Sequence, residues 1–505
     1  MDLSAWIDGW AKFQPAKSAV HFDGRDLGYA QLAGRIGHLA AALKHELGVG
    51  RGDRVAFLGM NHPAMLELLF ACARLGAMLV PLNWRLAAPE HLYMLQDCRA
   101  AALFAEPEFL AQCTAIKQAL PSLRTVATSA PSAGWLDYTD LLEAATGDNA
   151  NPHVSYDDAV LLVYTSGTTG RPKGAVLTQN ALFFNAVNAT HAHDLTSADH
   201  VLTTLPLFHV GGLNIQTLPA LHAGARVTLH RRFEPQSCLG AIAERRPSLT
   251  LMVPATMAAV LQHPDFAAAD LGSLRLIMAG SSNIPPALIQ GFHARGIPVG
   301  QVYGSTETAP VAIYLRAAEA FDHVGSTGKP AIHCQAKVVG RDGAELPRGQ
   351  AGEILVRGPN LFREYWGDQA ATGLALQDGW YHTGDIGHQD ADGYFTIDDR
   401  KKDLIISGGE NIYPAELENV LADCPEIAEA AVVGAPDPRW GEVAVAIVVR
   451  RPGSQLDAVG VQALFDGRLA RFKHPRLVLF RDSLPRNVMG KVLKYAIREE
   501  LNTTR

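Results

Sequence analysis

YTSGTTGRPKG, residues 164–174, decides how the rest of this chain is read. The run before it, residues 159–163 (AVLLV), is short, apolar and branched, which predicts a buried strand and makes the glycine-rich segment a loop at a strand end. Ala175, Val176 and Leu177 resume the strand pattern on its far side. Gly167, Gly170 and Gly174 allow close backbone approach, while Thr165, Ser166, Thr168 and Thr169 supply hydroxyls and Lys173 a point charge. That set suits a polyphosphate. The commonest phosphate loop, GxxxxGK[ST], needs its lysine directly after a glycine and a hydroxyl after the lysine. Here Pro172 precedes Lys173 and Gly174 follows it. An isolated GTTG reads as an ordinary turn between strands; the information lies in the full stretch.

Working outward, the chain has 505 residues, 48% of them hydrophobic, enough for a large core and two or more domains. A formal charge of -7 gives no support for a nucleic-acid or membrane-surface binder. The six cysteines (Cys72, Cys98, Cys113, Cys238, Cys334, Cys424) show no CxxC pair and no zinc spacing, and read as reduced, mostly buried thiols. The N-terminal MDLSAWIDGWAKFQPAK carries charges inside any apolar core, unlike a secretory signal. The most apolar window, 62–82, is broken by Glu67 and Arg74 and predicts a buried helix followed by a strand, with no membrane span. These readings point to a soluble, cytoplasmic protein, with a homodimer left open.

Residues 1 to about 150 alternate helical and strand patterns: helix over 32–47, strand over 54–58, helix over 63–75. This is the rhythm of a layered α/β domain. Residues 143–158 are polar and rich in Asp, Asn, Gly and Pro, a surface connection leading to the phosphate loop. The α/β rhythm runs on to about Asp399 and shifts near Ala336 to short strands with Gly/Pro turns, a small β subdomain. Residues 468–505 then carry ten Lys/Arg against three Asp/Glu. A solvated helix face is the usual meaning of such a run, and a phosphate partner the other.

Four more segments carry chemistry. QVYGSTET (301–308) follows a strand-like run and AGSSNIPP (279–286); a hydroxyl beside a carboxylate at a strand end can hold a phosphate oxygen and Mg²⁺ together. WYHTGD (380–385) precedes DRKKD (399–403) and SGGEN (407–411), and a carboxylate near a ribose accepts from both hydroxyls. LPRNVMGK (484–491) ends on a lysine that, on a mobile loop, can neutralise charge developing on phosphate. PLFHVGG (206–212) is an apolar stretch with a histidine in it. Taken singly, a turn aspartate, a surface lysine or a core histidine would explain each residue.

With YTSGTTGRPKG, these segments resemble the adenylate-forming superfamily of acyl-CoA synthetases, aryl-CoA ligases, peptide-synthetase adenylation domains and luciferases. The resemblance spans residues 160 to 495 in the family's order and rough spacing. It implies a large N-terminal domain of layered α/β subdomains plus a small β subdomain, residues 1–399. A small mobile α+β C-terminal domain, 400–505, would hinge near Lys402. It implies ATP, Mg²⁺ and CoA, and two steps: a carboxylate and ATP give acyl-adenylate and pyrophosphate, then the CoA thiol displaces AMP. By the same resemblance Gln301, Val302, Tyr303 and Gly304 lie beside adenine, Thr306 at the α-phosphate, and Glu307 with Thr165 at the metal. Asp385 matches the ribose aspartate and Arg400 its partner. Gly408 and Gly409 line the pantetheine tunnel, Trp440 packs against pantetheine, and Lys491 is the adenylation lysine. Met489 departs from the family's usual threonine and removes a hydroxyl near that lysine.

For the acid, the resemblance puts His209 at the gate, with Phe208, Val210, Gly212, Leu213, Ser281, Val302, Gly304 and Val311 as walls. These are largely apolar, so a hydrophobic acid is expected and a malonate-type diacid disfavoured. The pattern looks closest to medium/long-chain fatty acyl-CoA synthetases and feruloyl/cinnamoyl-type ligases. Fatty against aryl stays open. Two other classes remain: an adenylating enzyme that passes acyl-AMP to a non-CoA acceptor, and a non-catalytic nucleotide-binding relative, which would be expected to lack Lys491 or Glu307.

Overall fold

The computed structural model describes residues 1–505 apart from 129–131, 145–146, 166–171, 281–283, 401–402, 408–409, 438–439, 467, 470, 487–491 and 504–505, and apart from the side chains at 399, 400, 406, 410, 411, 441, 502 and 503. The chain forms two compact units. The first comprises Met1–Ser281, Leu288–Ala336 and Val356–Tyr381; the second comprises Ser282–Ala287, Lys337–Leu355 and His382–Arg505.

In the first unit the expected βα rhythm appears as two sheets. Among the described residues one has nine strands, with Val299–Tyr303, Leu276–Gly280, Leu249–Met252 and His200–Thr203 as parallel neighbours in its middle. The other has eight, with Ala159–Thr165, Met78–Leu82, Arg54–Leu58 and Ala102–Ala105 side by side. Strands such as Met78–Leu82 are buried along their whole length, as parallel strands covered on both faces must be.

The helix Pro63–Leu75 shows why the sequence folds this way locally. Proline stands at its first position, where a missing N–H costs nothing, and Gly76 ends it at φ 75°, a left-handed conformation that glycine adopts freely. Its twelve residues Ala64 to Leu75 are all buried, so Glu67 and Arg74 need partners. Arg35 donates to Glu67 at 2.7 Å, and Arg74 donates to Ser4 at 3.0 Å and Asp8 at 2.7 Å. Removing one partner would leave an uncompensated buried charge.

The second unit contains the antiparallel strands Trp380–Gln389 (from His382 onward) and Phe395–Arg400, and a further sheet built on Ile427–Asp437 and Gly441–Arg450. Strand alternation in the latter sorts side chains to two faces. Val432, Ala444 and Ala446 pack with Leu417, Leu421 and Phe465 on one, and Val433, Val445 and Ile447 with Leu484 and Ile497 on the other. The C-terminal basic bias is largely neutralised inside this unit: Lys473 pairs with Glu416 (2.7 Å), Lys494 with Glu418 (2.8 Å), Arg486 with Glu429 (3.0 Å), and Arg498 with Asp403.

All six cysteines are buried and unbridged, and burial pushes the thiols of Cys98, Cys113, Cys238 and Cys334 up to about 12. Burial also pushes the imidazoles of His62, His193, His200 and His209 down to about 4. The unfolded chain takes up these protons near the ordinary value of 6.5, so the unfolded state binds more protons between the two values. Stability is therefore full above about pH 6.5 and lost as pH falls toward 4. The urea midpoint should be flat from pH 7 to 8 and fall below about pH 6, less steeply in His193→Gln. A midpoint unchanged between pH 7 and about 4.5 would contradict these burials.

Candidate active site

The strands that flank the glycine-rich segment, Ala159–Thr165 and Lys173–Thr178, are antiparallel neighbours, with Thr165 opposite Lys173. A strand follows the segment, whereas a helix follows the phosphate loop of GxxxxGK[ST] proteins. Thr165 Oγ1 donates to the Lys173 carbonyl at 3.4 Å. The Lys173 ammonium lies 3.0 Å from Asp368 and 5.6 Å from the centroid of the Tyr365 ring. Asp368 also caps the helix Gln369–Ala375 by accepting from Ala371 N–H at 2.9 Å. That backbone donor first, then Lys173, holds its carboxyl below the usual carboxylate range.

Gln301, Val302 and Tyr303 end the strand Val299–Tyr303, and the turn after it is forced by close packing. A Cβ on Gly304 would sit 1.7 Å from the Pro310 carbonyl oxygen, so only glycine fits. Ser305 then caps a short 3₁₀ turn, Thr306–Thr308, whose Thr306 and Glu307 are both buried. Glu307 is fixed at both ends. Its carbonyl accepts from Phe362 N–H at 2.7 Å and its Oε1 accepts from Tyr365 O–H at 2.7 Å. Burial first, then the Glu307 charge, pushes the phenols of Tyr365 and Tyr381 above their ordinary range, so both stay donors.

The segment after Glu307 rests on buried amides. Asn185 Oδ1 accepts from Val311 N–H at 2.9 Å, and Asn360 Nδ2 donates to the carbonyls of Thr308 at 2.6 Å and Val311 at 3.3 Å. A similar clamp holds the start of the PLFHVGG segment. Asn61 Nδ2 donates to Leu205 O (3.0 Å) and His230 O (2.9 Å), and its Oδ1 accepts from Leu207 N–H at 2.8 Å. Beyond it, a Cβ on Gly212 would fall 2.2 Å from Pro206 O. His209 Nδ1 accepts from Gly211 N–H at 3.0 Å, and its neutral ring feels the Glu307 charge. Phe208, Val210, Leu213, Val302 and Val311 are all buried. The Arg85 guanidinium lies 5.9 Å from the centroid of the Phe208 ring and 4.7 Å from that of Trp84.

In the second unit Asp385, 5% exposed, stands opposite Arg400 in the register of Trp380–Gln389 and Phe395–Arg400. Trp440 N–H donates to Asp437 at 2.9 Å, and the Arg476 guanidinium lies 5.8 Å from its ring centroid. Ser166, Gly167, Thr168, Thr169, Gly170, Ser281, Lys402, Gly408, Gly409 and Lys491 lie outside the described residues, as does the Arg400 side chain.

The first unit fits a magnesium nucleotide on two counts. Gln301 Nε2 is buried with no hydrogen-bond partner, an orphan donor that a ring nitrogen would satisfy. Glu307, Thr165 and Thr306 offer hard oxygens, and Mg²⁺ takes one or two carboxylates plus substrate phosphates rather than an all-protein cage. Among the described residues no group of three or more His, Cys, Asp or Glu could hold a metal by itself, and no helix is long and apolar enough to cross a membrane.

Comparison with known proteins agrees with this geometry. The AMP-binding enzyme family model matches residues 7–366, and that of the AMP-binding enzyme C-terminal domain matches 416–491. The chain belongs to the AMP-binding enzyme family, on its acid–CoA ligase branch. It is 52% identical to an indoleacetate–CoA ligase of Aromatoleum aromaticum over 99% of this chain and 98% of that one. With a feruloyl-CoA synthase of an Amycolatopsis species the identity is 43%, over 98% of each. Among solved structures, the o-succinylbenzoate coenzyme A synthetase of Bacillus subtilis in complex with ATP and magnesium superposes with a TM-score of 0.86 at 32% identity, covering 98% of this chain and 99% of that one.

Proposed function

We propose that this acid–CoA ligase adenylates an aromatic carboxylic acid of the arylacetic or cinnamic kind. The observation that carries the reading is the buried apolar wall of Phe208, Val210, Leu213, Val302 and Val311, in a chain half identical to a ligase named for indoleacetate. An apolar wall with few polar groups favours a flat or long hydrophobic acid.

In the first step a carboxylate oxygen of the acid attacks the α-phosphorus of ATP, the bond to the β-phosphate oxygen breaks, and pyrophosphate leaves. Thr165, the hydroxyls of 166–169 and Lys173 would hold the phosphates, with Thr306 at the α-phosphate. Gln301, Val302, Tyr303 and Gly304 would line adenine, and Asp385 with Arg400 would take the ribose. Mg²⁺, held by Glu307 and Thr165, would neutralise phosphate charge that otherwise repels the carboxylate. In the second step the CoA sulfur attacks the acyl carbon, AMP departs and the thiol proton is lost. Gly408, Gly409 and Trp440 would border the pantetheine, and Lys402 would be the hinge between the two poses.

The test is an acid panel of C4 to C18 fatty acids, benzoates, cinnamates, arylacetates and one aromatic diacid, read as kcat/KM for acyl-CoA. Arylacetates or cinnamates should lead by roughly ten-fold or more, and within the fatty acids KM should fall about four-fold per CH₂, the equivalent of about 0.8 kcal/mol, until the pocket is full. A C12 to C16 acid in the lead would move the assignment to fatty acids. Arg85 favours a second reading, an aromatic acid with an anionic substituent. A leading diacid whose advantage disappears in Arg85→Ala would establish it.

A further inference from the structure

We propose that Tyr365 is a positioning residue that joins the two ends of the triphosphate site, fixing the metal carboxylate Glu307 with its hydroxyl and the phosphate lysine Lys173 with its ring. This rests on the roles proposed above for Glu307 and Lys173. The short strand Glu364–Tyr365 forms the edge of the eight-stranded sheet and pairs antiparallel with Lys173–Thr178, Tyr365 opposite Ala175. Trp366 N–H donates to Gly174 O at 2.7 Å and Arg363 N–H to Val176 O at 2.8 Å, so backbone hydrogen bonds tie the strand that begins at Lys173 to the one carrying Tyr365. From that edge the phenol reaches across 58 residues of sequence to Glu307 Oε1. Its ring lies beside the ammonium that also pairs with Asp368. Tyr365 itself is pinned through its backbone, the N–H donating to Thr372 Oγ1 at 2.9 Å, and Phe362 packs with its ring centroid 4.8 Å away.

Two distinct losses follow from this arrangement. Tyr365→Phe removes the O–H and keeps the ring beside Lys173. Tyr365→Leu removes both. A partner that orients a metal-binding carboxylate typically changes metal affinity by roughly 10- to 100-fold, and a cation over an aromatic ring adds a smaller share.

The measurement is binding rather than turnover: Mn²⁺ titrated by electron paramagnetic resonance in the presence of a non-hydrolysable ATP analogue, and the same analogue titrated by calorimetry without metal. Tyr365→Phe should weaken Mn²⁺ by about ten-fold with metal-free analogue affinity unchanged, and Tyr365→Leu should weaken both. In a Glu307→Gln background, Tyr365→Phe should produce no further loss of Mn²⁺, because the phenol acts through that carboxylate. Mn²⁺ affinity in Tyr365→Phe equal to that of the unmodified protein would overturn the proposal, as would equal losses in both backgrounds. Full Mn²⁺ affinity in Glu307→Gln alone would instead remove Glu307 from the metal site, a separate failure that identifies itself.

Discussion

Lys491→Ala should lose roughly 10²- to 10³-fold in adenylate formation while still converting supplied acyl-AMP and CoA to thioester at close to the normal rate. A charged group aimed at the α-phosphate and the departing pyrophosphate matters only while that bond is breaking. The family resemblance brings this lysine to the site in the adenylating pose alone. The residues flanking the segment are anchored in the second unit: Arg486 bridges to Val492, Leu493 N–H donates to Pro485 O at 2.8 Å, and Arg486 pairs with Glu429 at 3.0 Å. Gly409→Leu should do the reverse, keeping pyrophosphate exchange and blocking the thiol, because the added side chain would obstruct the proposed tunnel. Both half-reactions are measured for both variants. Equal slowing of the two steps in Lys491→Ala would contradict the two-pose account.

Glu307→Gln should reduce adenylation by roughly ten-fold or more at limiting Mg²⁺, with part of the loss recovered as Mg²⁺ is raised. The substitution is nearly isosteric and its amide oxygen can still accept from Tyr365 at Oε1, so the change is chiefly one of charge. The carbonyl bond to Phe362 is untouched. ATP–pyrophosphate exchange across a Mg²⁺ series is the readout, and an unchanged curve would take Glu307 out of the metal site.

The sequence was most legible where local signals coincide. Proline at the start, Gly76 at the end and an apolar run between them gave the helix Pro63–Leu75 to the residue, and the runs flanking YTSGTTGRPKG, 159–163 and 175–177, lie within the strands Ala159–Thr165 and Lys173–Thr178, each of which extends two residues further toward the glycine-rich segment. Apolar readings of Phe208, Val210 and Val311 agree with their burial. What escaped the sequence are the groups that act over distance. Asn61 meets Leu205 and Leu207 across about 145 residues, and Asn360 meets Thr308 across 52. A lone asparagine or tyrosine carries no periodic or turn signal of such a contact. Residues 364–368 fall in the stretch read only as short strands with Gly/Pro turns, yet they include both Tyr365 and Asp368. The contact of Arg85 with Phe208 was hidden for a related reason: Arg85 follows the strand Met78–Leu82 by three residues, far in sequence from Phe208.

The central claim, an AMP-forming acid–CoA ligase for a hydrophobic acid, is tested most directly by product stoichiometry. Purified protein is incubated with ATP, Mg²⁺, CoA and the preferred acid of the panel, and all nucleotides and thioesters are quantified. The account predicts AMP, pyrophosphate and acyl-CoA in equal amounts, with acid-dependent pyrophosphate exchange when CoA is left out. ADP and inorganic phosphate in place of AMP and pyrophosphate, or AMP release that CoA does not accelerate, would contradict it.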